Sequence, residues 1–140
     1  AHLFRRRRDD FFNAIFTVDS RSNRMGYRLQ GPEVARDPGA PESIVSEPVV
    51  PGYIQIPADG QPILLLREQT IGGYAAIATV ISADLWRIGQ AKPGDTVRFV
   101  QVTLQEGQRM SREWRMFLAD TERSLLDGRW DTGFTDWGGA

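Results

Sequence analysis

The chain has 140 residues, 41% of them hydrophobic and 25% charged, with a formal net charge of -1 and a sequence pI near 5.9. That is enough to bury one core, and it gives no general attraction to nucleic acid, whose recognition needs a basic face. The absence of cysteine excludes disulfides and cysteine-ligated metals, and a single histidine, His2, excludes a histidine-based zinc site or triad within the chain.

The first ten residues read as a connector. Arg5 to Arg8 follow the apolar Leu3-Phe4 instead of preceding an apolar run, which is the reverse of a secretory leader, and Asp9-Asp10 come directly after them. No stretch approaches the roughly 18 consecutive apolar residues of a membrane span. A cytoplasmic protein without a membrane or nucleic-acid partner is therefore expected.

Residues 11–104 read as one β domain. Phe11 to Val18 and Gly26 to Gln30 are expected strands, the second ending at Gly31-Pro32. Asp37-Pro38-Gly39-Ala40-Pro41 marks an exposed loop, since prolines there forbid a helix interior. Ile44 to Ser46 and Tyr53 to Ile56 follow as strands. Alternation in the second places Ile54 and Ile56 on one face and Tyr53 and Gln55 on the other. A turn at Ala58-Asp59-Gly60-Gln61 makes the segments 53–56 and 63–66 antiparallel neighbours.

Ile77 to Ile81 is the next strand, and Ser82 is the expected N-cap of a short helix running to Gln90. Lys92-Pro93-Gly94-Asp95 has the proline and glycine of a type II turn and leads to a last strand, Val97 to Leu104. From residue 105 to 126 the apolar spacing becomes helical, with Trp114, Phe117, Leu118, Leu125 and Leu126 among many charges. Residues 127–140 form a tail without a period. About eight short strands joined by tight turns suggest a closed or nearly closed β-barrel.

Candidate chemistry centres on Gln69-Thr70-Ile71-Gly72-Gly73-Tyr74, where two glycines interrupt a strand-like sequence. Such a pair either presents backbone donors to a ligand or shapes a barrel corner. Arg24 carries a planar cationic fork suited to a carboxylate, carbamate or phosphate, and otherwise pairs with Glu47 or caps the surface. Tyr27 offers a phenolic hydroxyl, Ser46 and Glu47 a hydroxyl and a carboxylate, and Gln55 and Gln69 amides that suit a ureido or lactam group or buried backbone. Arg28 reads as a surface or interface charge.

Taken in order, Ser22 to Pro32, Ile44 to Glu47, Pro51 to Ile63, Gln69 to Tyr74, Ile77 to Leu85 and Lys92 to Phe99 resemble the biotin-dependent carboxyltransferase family. That family includes KipA, allophanate hydrolase subunit 2 and the C subunit of 5-oxoprolinase. The likeness runs from about Asp10 to Glu106. It implies a cyclophilin-like β-barrel with a short helix and a C-terminal amphipathic helix, and that this chain corresponds to the C-terminal half of the family module. The N-terminal half of that module and a KipI-like protein, allophanate hydrolase subunit 1, are then the expected partners.

The resemblance also implies ATP-dependent hydrolysis, or carboxyl transfer from carboxybiotin, on a small amide, lactam or ureido substrate. ATP or biotin would reside on a partner, since no cofactor site is visible in this chain, and the chain alone would be inactive. Arg24, Tyr27, Ser46, Glu47, Gln55, Gln69, Thr70, Gly72, Gly73 and Tyr74 are the implied substrate-binding residues, and no catalytic residue is assigned. The alternative is a KipA-like binding module that antagonises a KipI-like inhibitor of a histidine kinase. Asn23, Arg67, Ile71 and Ala75 depart from the family's usual Asp, Asp, Thr and Pro, which alters charge near the loop.

Overall fold

Eight short strands between residues 16 and 97 form the body of the domain, with a long helix after them. The computed structural model describes residues 2–4, 8–41, 43–69 and 71–127. Thr70, the run Arg5 to Arg7 and the tail from residue 128 lie outside the described residues.

The strands are β1 (Phe16–Val18), β2 (Gly26–Gln30), β3 (Glu47–Pro48), β4 (Tyr53–Gln55), β5 (Ile63–Leu65), β6 (Ile71–Gly72), β7 (Ala76–Thr79) and β8 (Thr96–Val97). Six of them make one antiparallel sheet in the order β7-β4-β5-β2-β1-β8, while β3 and β6 pair as a separate ribbon. The expected β4–β5 hairpin is present, with Ile54 opposite Leu64 and Gln55 opposite Ile63. Among the described residues no ladder joins β7 to β8, so the hydrogen-bonded sheet is open rather than closed.

Phe11 to Val18 is not one strand. Arg8–Asn13 forms helix α1, and β1 starts only at Phe16. Asp9 and Asp10 stand in the first turn of α1, where acidic groups meet the exposed amide donors of the helix start. The helix brings Phe11 into the core, stacked on Phe99 at 5.0 Å and tilted against Phe16 at 5.6 Å. Phe4, Phe11, Phe16, Leu29, Ile54, Ile56 and Leu64 are fully buried there. Each such side chain contributes about 1.5–3 kcal/mol by leaving water.

Both faces of β4 are covered. Ile54 and Ile56 enter the core while Gln55 is buried against Gly72, and the register slip lies in β7, where Ala78 and Ala76 face Ile54 and Gln55 and Ile77 is the extra residue. A bulge of this kind bends the strand that carries the extra residue. Ile44 to Ser46 makes no strand; pairing begins at Glu47, whose partner is Gly72.

Ser82 is not an N-cap. It lies inside a 3₁₀ turn, Ser82–Asp84, which precedes α2 (Leu85–Ile88), and neither segment has a side-chain cap. The turn at Lys92 to Asp95 forms as expected, with Gly94 at a φ of 92° and the Asp95 amide donating to Lys92 O at 3.0 Å.

The last strand stops at Val97, since β1 pairs only with Thr96 and Val97. Instead of continuing, Thr103 closes a capping box with Glu106 and starts α3 (Leu104–Leu126). Thr103 Oγ1 accepts from the Glu106 amide at 3.2 Å, and Glu106 Oε2 accepts from the Thr103 amide at 2.7 Å. That backbone donor, with the Thr103 hydroxyl, holds the Glu106 carboxyl below its ordinary range. Trp114 stacks on Trp86 at 5.3 Å and anchors the first half of α3, whereas Met116, Phe117 and Leu126 remain exposed.

Candidate functional site

Gln55 is buried from β4 against Gly72, and its position determines why residue 72 is glycine. Gln55 is 3% exposed, and its Nε2 donates to the Tyr74 carbonyl at 3.0 Å. A Cβ added at Gly72 would stand 2.3 Å from that Nε2. The side chain removed at residue 72 is thus replaced by the amide of residue 55. Gln55 is engaged with backbone, one of the two roles open to it from sequence.

The β3–β6 ribbon draws the other polar residues to this corner. Glu47 pairs with Gly72 and Pro48 with Ile71, the Ile44 amide donates to Gly73 O at 2.9 Å, and an added Cβ on Gly73 would lie 3.3 Å from Ser46 Oγ. Ser46, Glu47, Gln55, Gly72, Gly73 and Tyr74 therefore meet. Ser46, Glu47 and Tyr74 are exposed there.

Gln69 and Arg24 are reached from the β5 side. Gln69 is half-buried, with its side-chain amide donating to the Ile71 carbonyl. Arg24 sits in the tight turn closed by Asn23 and Gly26, and its partner is not Glu47. Its Nε lies 3.3 Å from Glu68 Oε1, with 88% of the arginine side chain exposed. The turn replaces the strand that would have set Arg24 against Tyr27. Tyr27, opposite Leu64 in the sheet, is half-buried and packs on the core.

None of these nine described residues lines either of two concavities in the molecule. One is a broad groove of about 1440 Å³ between β7, residues 96–103 and the first half of α3, with Ile77, Val80, Ile81, Phe99 and Val102 among its walls. The other is a cleft of about 220 Å³ beside β2, lined by Arg21, Arg28, Gln30, Asp59 and Gln61.

Sequence reasoning missed the second cleft. Its signal was the period-2 placement of Arg28 and Gln30 on one face of β2, opposite the Asp59-Gly60-Gln61 turn.

Asp19 underlies this cleft. Its carboxylate accepts from Arg21 Nε at 2.9 Å, Arg21 Nη2 at 3.0 Å and the Arg21 amide at 2.7 Å, and also from the Gln30 side chain. The Arg21 side chain and then its amide pull the Asp19 pKa from 3.8 to about 2, and the Arg21 guanidinium is raised in return. Among the described residues no three acidic or imidazole groups gather to hold a metal, and no helix is long and apolar enough to cross a membrane.

Comparison with known proteins supplies the lineage. The C subunit of the Escherichia coli K12 5-oxoprolinase is 37% identical over 110 residues, covering 78% of this chain and 35% of that protein. Its Haemophilus influenzae counterpart, also a 5-oxoprolinase C subunit, is 40% identical over 113 residues, covering 80% of this chain and 36% of that protein. This chain thus spans about a third of the length of the curated relatives it matches. The crystal structure of Kluyveromyces lactis urea carboxylase superposes with a TM-score of 0.74 at 27% identity, over 82% of this chain and 11% of that one. With residues 1–101 also matching the carboxyltransferase domain, subdomain A and B, the chain belongs to that carboxyltransferase domain family.

Proposed function

We propose that this chain is part of an enzyme subunit that acts on a small amide, lactam or ureido substrate together with a KipI-like partner. ATP-dependent hydrolysis of the 5-oxoprolinase type is the favoured chemistry, because identity to the two 5-oxoprolinase subunits exceeds that to the urea carboxylase. Carboxyl transfer from carboxybiotin to a urea-like nitrogen is the other member of the class. The observation that carries the reading is the Glu47–Gly72 bridge, which gathers polar residues from separate motifs at one corner.

In this reading Ser46, Glu47, Gln55, Gly72, Gly73 and Tyr74, with Arg24, Tyr27, Gln69 and Thr70 from adjoining segments, form the substrate-facing side. The other half of the family module completes it, and with it the sheet closes into a cyclophilin-like barrel. ATP or carboxybiotin belongs to a partner, as the chain's lysine, Lys92, precedes proline and no phosphate-binding loop ends in Lys-Ser or Lys-Thr. A cytoplasmic setting supplies that ATP.

The test is turnover in the complete complex. Arg24→Ala and Gln69→Ala should lower it while co-purification with the partner is retained; undiminished turnover in both would refute the reading. The 140 residues alone should be inactive, and measurable turnover of 5-oxoproline or urea by them would contradict the two-part arrangement.

One observation favours a second reading, a binding module that sequesters a KipI-like protein. The nine described residues line neither concavity, which suits a contact surface as well as a substrate pocket. Capture of such a protein without dependence on ATP or biotin is then expected.

A further inference from the structure

Arg21 and Arg28 both line the cleft beside β2, but only one has its charge met by a bonded partner. Arg21 is neutralised from beneath by Asp19, whose side chain is 5% exposed. Arg28 is anchored through its backbone: its amide donates to Ser22 Oγ at 3.1 Å, and its carbonyl accepts from the Asp19 amide at 2.9 Å. Among the described residues no carboxylate stands within ion-pair distance of the Arg28 guanidinium.

The rest of the cleft is built around this cation. Gln61 is held at both ends by Gly31, accepting from its amide at 3.0 Å and donating to its carbonyl at 3.2 Å, so it forms wall. Asp59 gives one oxygen to the Gln61 amide at 3.0 Å, leaving the other as an acceptor. Gln30 donates to Asp19 and keeps its own carbonyl oxygen as a second acceptor. A ligand thus meets the Arg28 guanidinium fork, the Asp19-paired Arg21 beside it, one carboxylate oxygen and one amide oxygen.

We infer that this cleft binds a small molecule bearing a carboxylate and a nearby N–H group, the carboxylate on Arg28 and the N–H on Asp59 or Gln30. A guanidinium with no carboxylate bonded to it takes a planar carboxylate through two parallel hydrogen bonds. Asp59 on the same cleft opposes a dianion such as phosphate and favours an N–H donor. A volume of about 220 Å³ suits an amino-acid-sized molecule, being on the order of seven times the 30 Å³ share of a liquid water. Urea, which lacks a carboxylate, falls outside the class. The choice of a lactam acid as probe rests on the 5-oxoprolinase-type reading above; the electrostatic argument does not.

The experiment is a ¹H–¹⁵N NMR titration of the 140-residue chain with 5-oxoproline, L-glutamate, 2-pyrrolidone and inorganic phosphate. The two amino-acid-like carboxylates should saturably shift the amides of Arg28, Gln30, Gly31 and Gln61, and 2-pyrrolidone and phosphate should not. Arg28→Ala should weaken binding at least tenfold and Arg28→Lys by less, with Arg123→Ala unchanged and the dispersed spectrum confirming the fold of each variant. Tighter binding of 5-oxoproline identifies a lactam ligand and tighter binding of glutamate a free amino acid; either upholds the site.

Absence of saturable shifts with both acids, equal shifts with phosphate, or full affinity in Arg28→Ala would overturn it. No binding here, combined with lost turnover in the Gln69→Ala complex, would remove the cleft and leave the functional reading intact. Binding here with unimpaired turnover in that variant would do the reverse.

Discussion

Around Gly72 the space left by a missing side chain is occupied by the protein's own Gln55, whereas around Arg28 a similar number of polar groups borders an open cleft. Both regions are rich in amides and charges, and only the first is marked in the sequence by unusual residues. Adjacent glycines report that something approaches the backbone closely. At residue 72 the approaching group is a buried glutamine, so the motif records packing there before it records a ligand. Arg28 attracts no attention in sequence because its distinction is a guanidinium with no bonded carboxylate among the described residues, beside an open cleft, which only the fold reveals.

The comparison breaks most visibly at residue 72. Gly72→Ala forces a methyl to 2.3 Å from Gln55 Nε2, an overpacked position. It should cost about 1–3 kcal/mol in urea denaturation. Gly73→Ala meets the exposed Ser46 hydroxyl at 3.3 Å, which can rotate away, and should cost far less. Gln55→Ala alone leaves the Tyr74 carbonyl without its donor, at about 1–3 kcal/mol. If the two side chains contend for one space, the Gly72→Ala/Gln55→Ala pair should be less destabilised than the sum, with a coupling of about 0.5–3 kcal/mol. Equal costs for Gly72→Ala and Gly73→Ala would show that the corner is not filled in this way.

The cleft region is sharpened by pH. Folding lowers the Asp19 pKa from 3.8 to about 2, so the folded state binds fewer protons than the unfolded one between those values. Its contribution to stability is complete above the ordinary carboxylate pKa and disappears as pH falls through about 2. Asp19→Asn should therefore flatten the stability curve within that acid window, measured by denaturation at a series of pH values, and change little of its slope above about pH 4. An unaltered slope in the variant would mean that Arg21 does not hold Asp19 ionised.

Much of the β framework was legible because its signals are local. Gly26–Gln30, the Tyr53 and Ile63 hairpin and the Lys92 to Asp95 turn follow from alternation and from proline and glycine placement. The misses have non-local causes. Phe11 looks like strand by composition, yet the acidic pair before it starts a helix that reaches Phe99 across the core. The β7 bulge cannot be seen within β7, since it is defined by register against β4. At Thr103 a local signal was available: Thr-x-x-Glu marks the helix start that overrides the continuing β pattern. The convergence of Ser46 and Glu47 on the double glycine needed the ribbon pairing, and the open cleft needed the whole sheet.

Arg24 gives the smallest expected effect on stability and for that reason the cleanest reading of function. Its partner Glu68 is 49% exposed and the arginine 88%, so solvent screens the pair. Arg24→Ala should change unfolding free energy by about 0–1 kcal/mol. With the fold unaffected, any loss of turnover in the complex reports a contact made to substrate or partner rather than a damaged domain. Comparing Arg24→Ala with Glu68→Ala separates these, because both remove the ion pair and only the first removes the guanidinium. Equal losses of turnover in the two variants would assign the effect to the pair; a loss confined to Arg24→Ala would assign it to the cation.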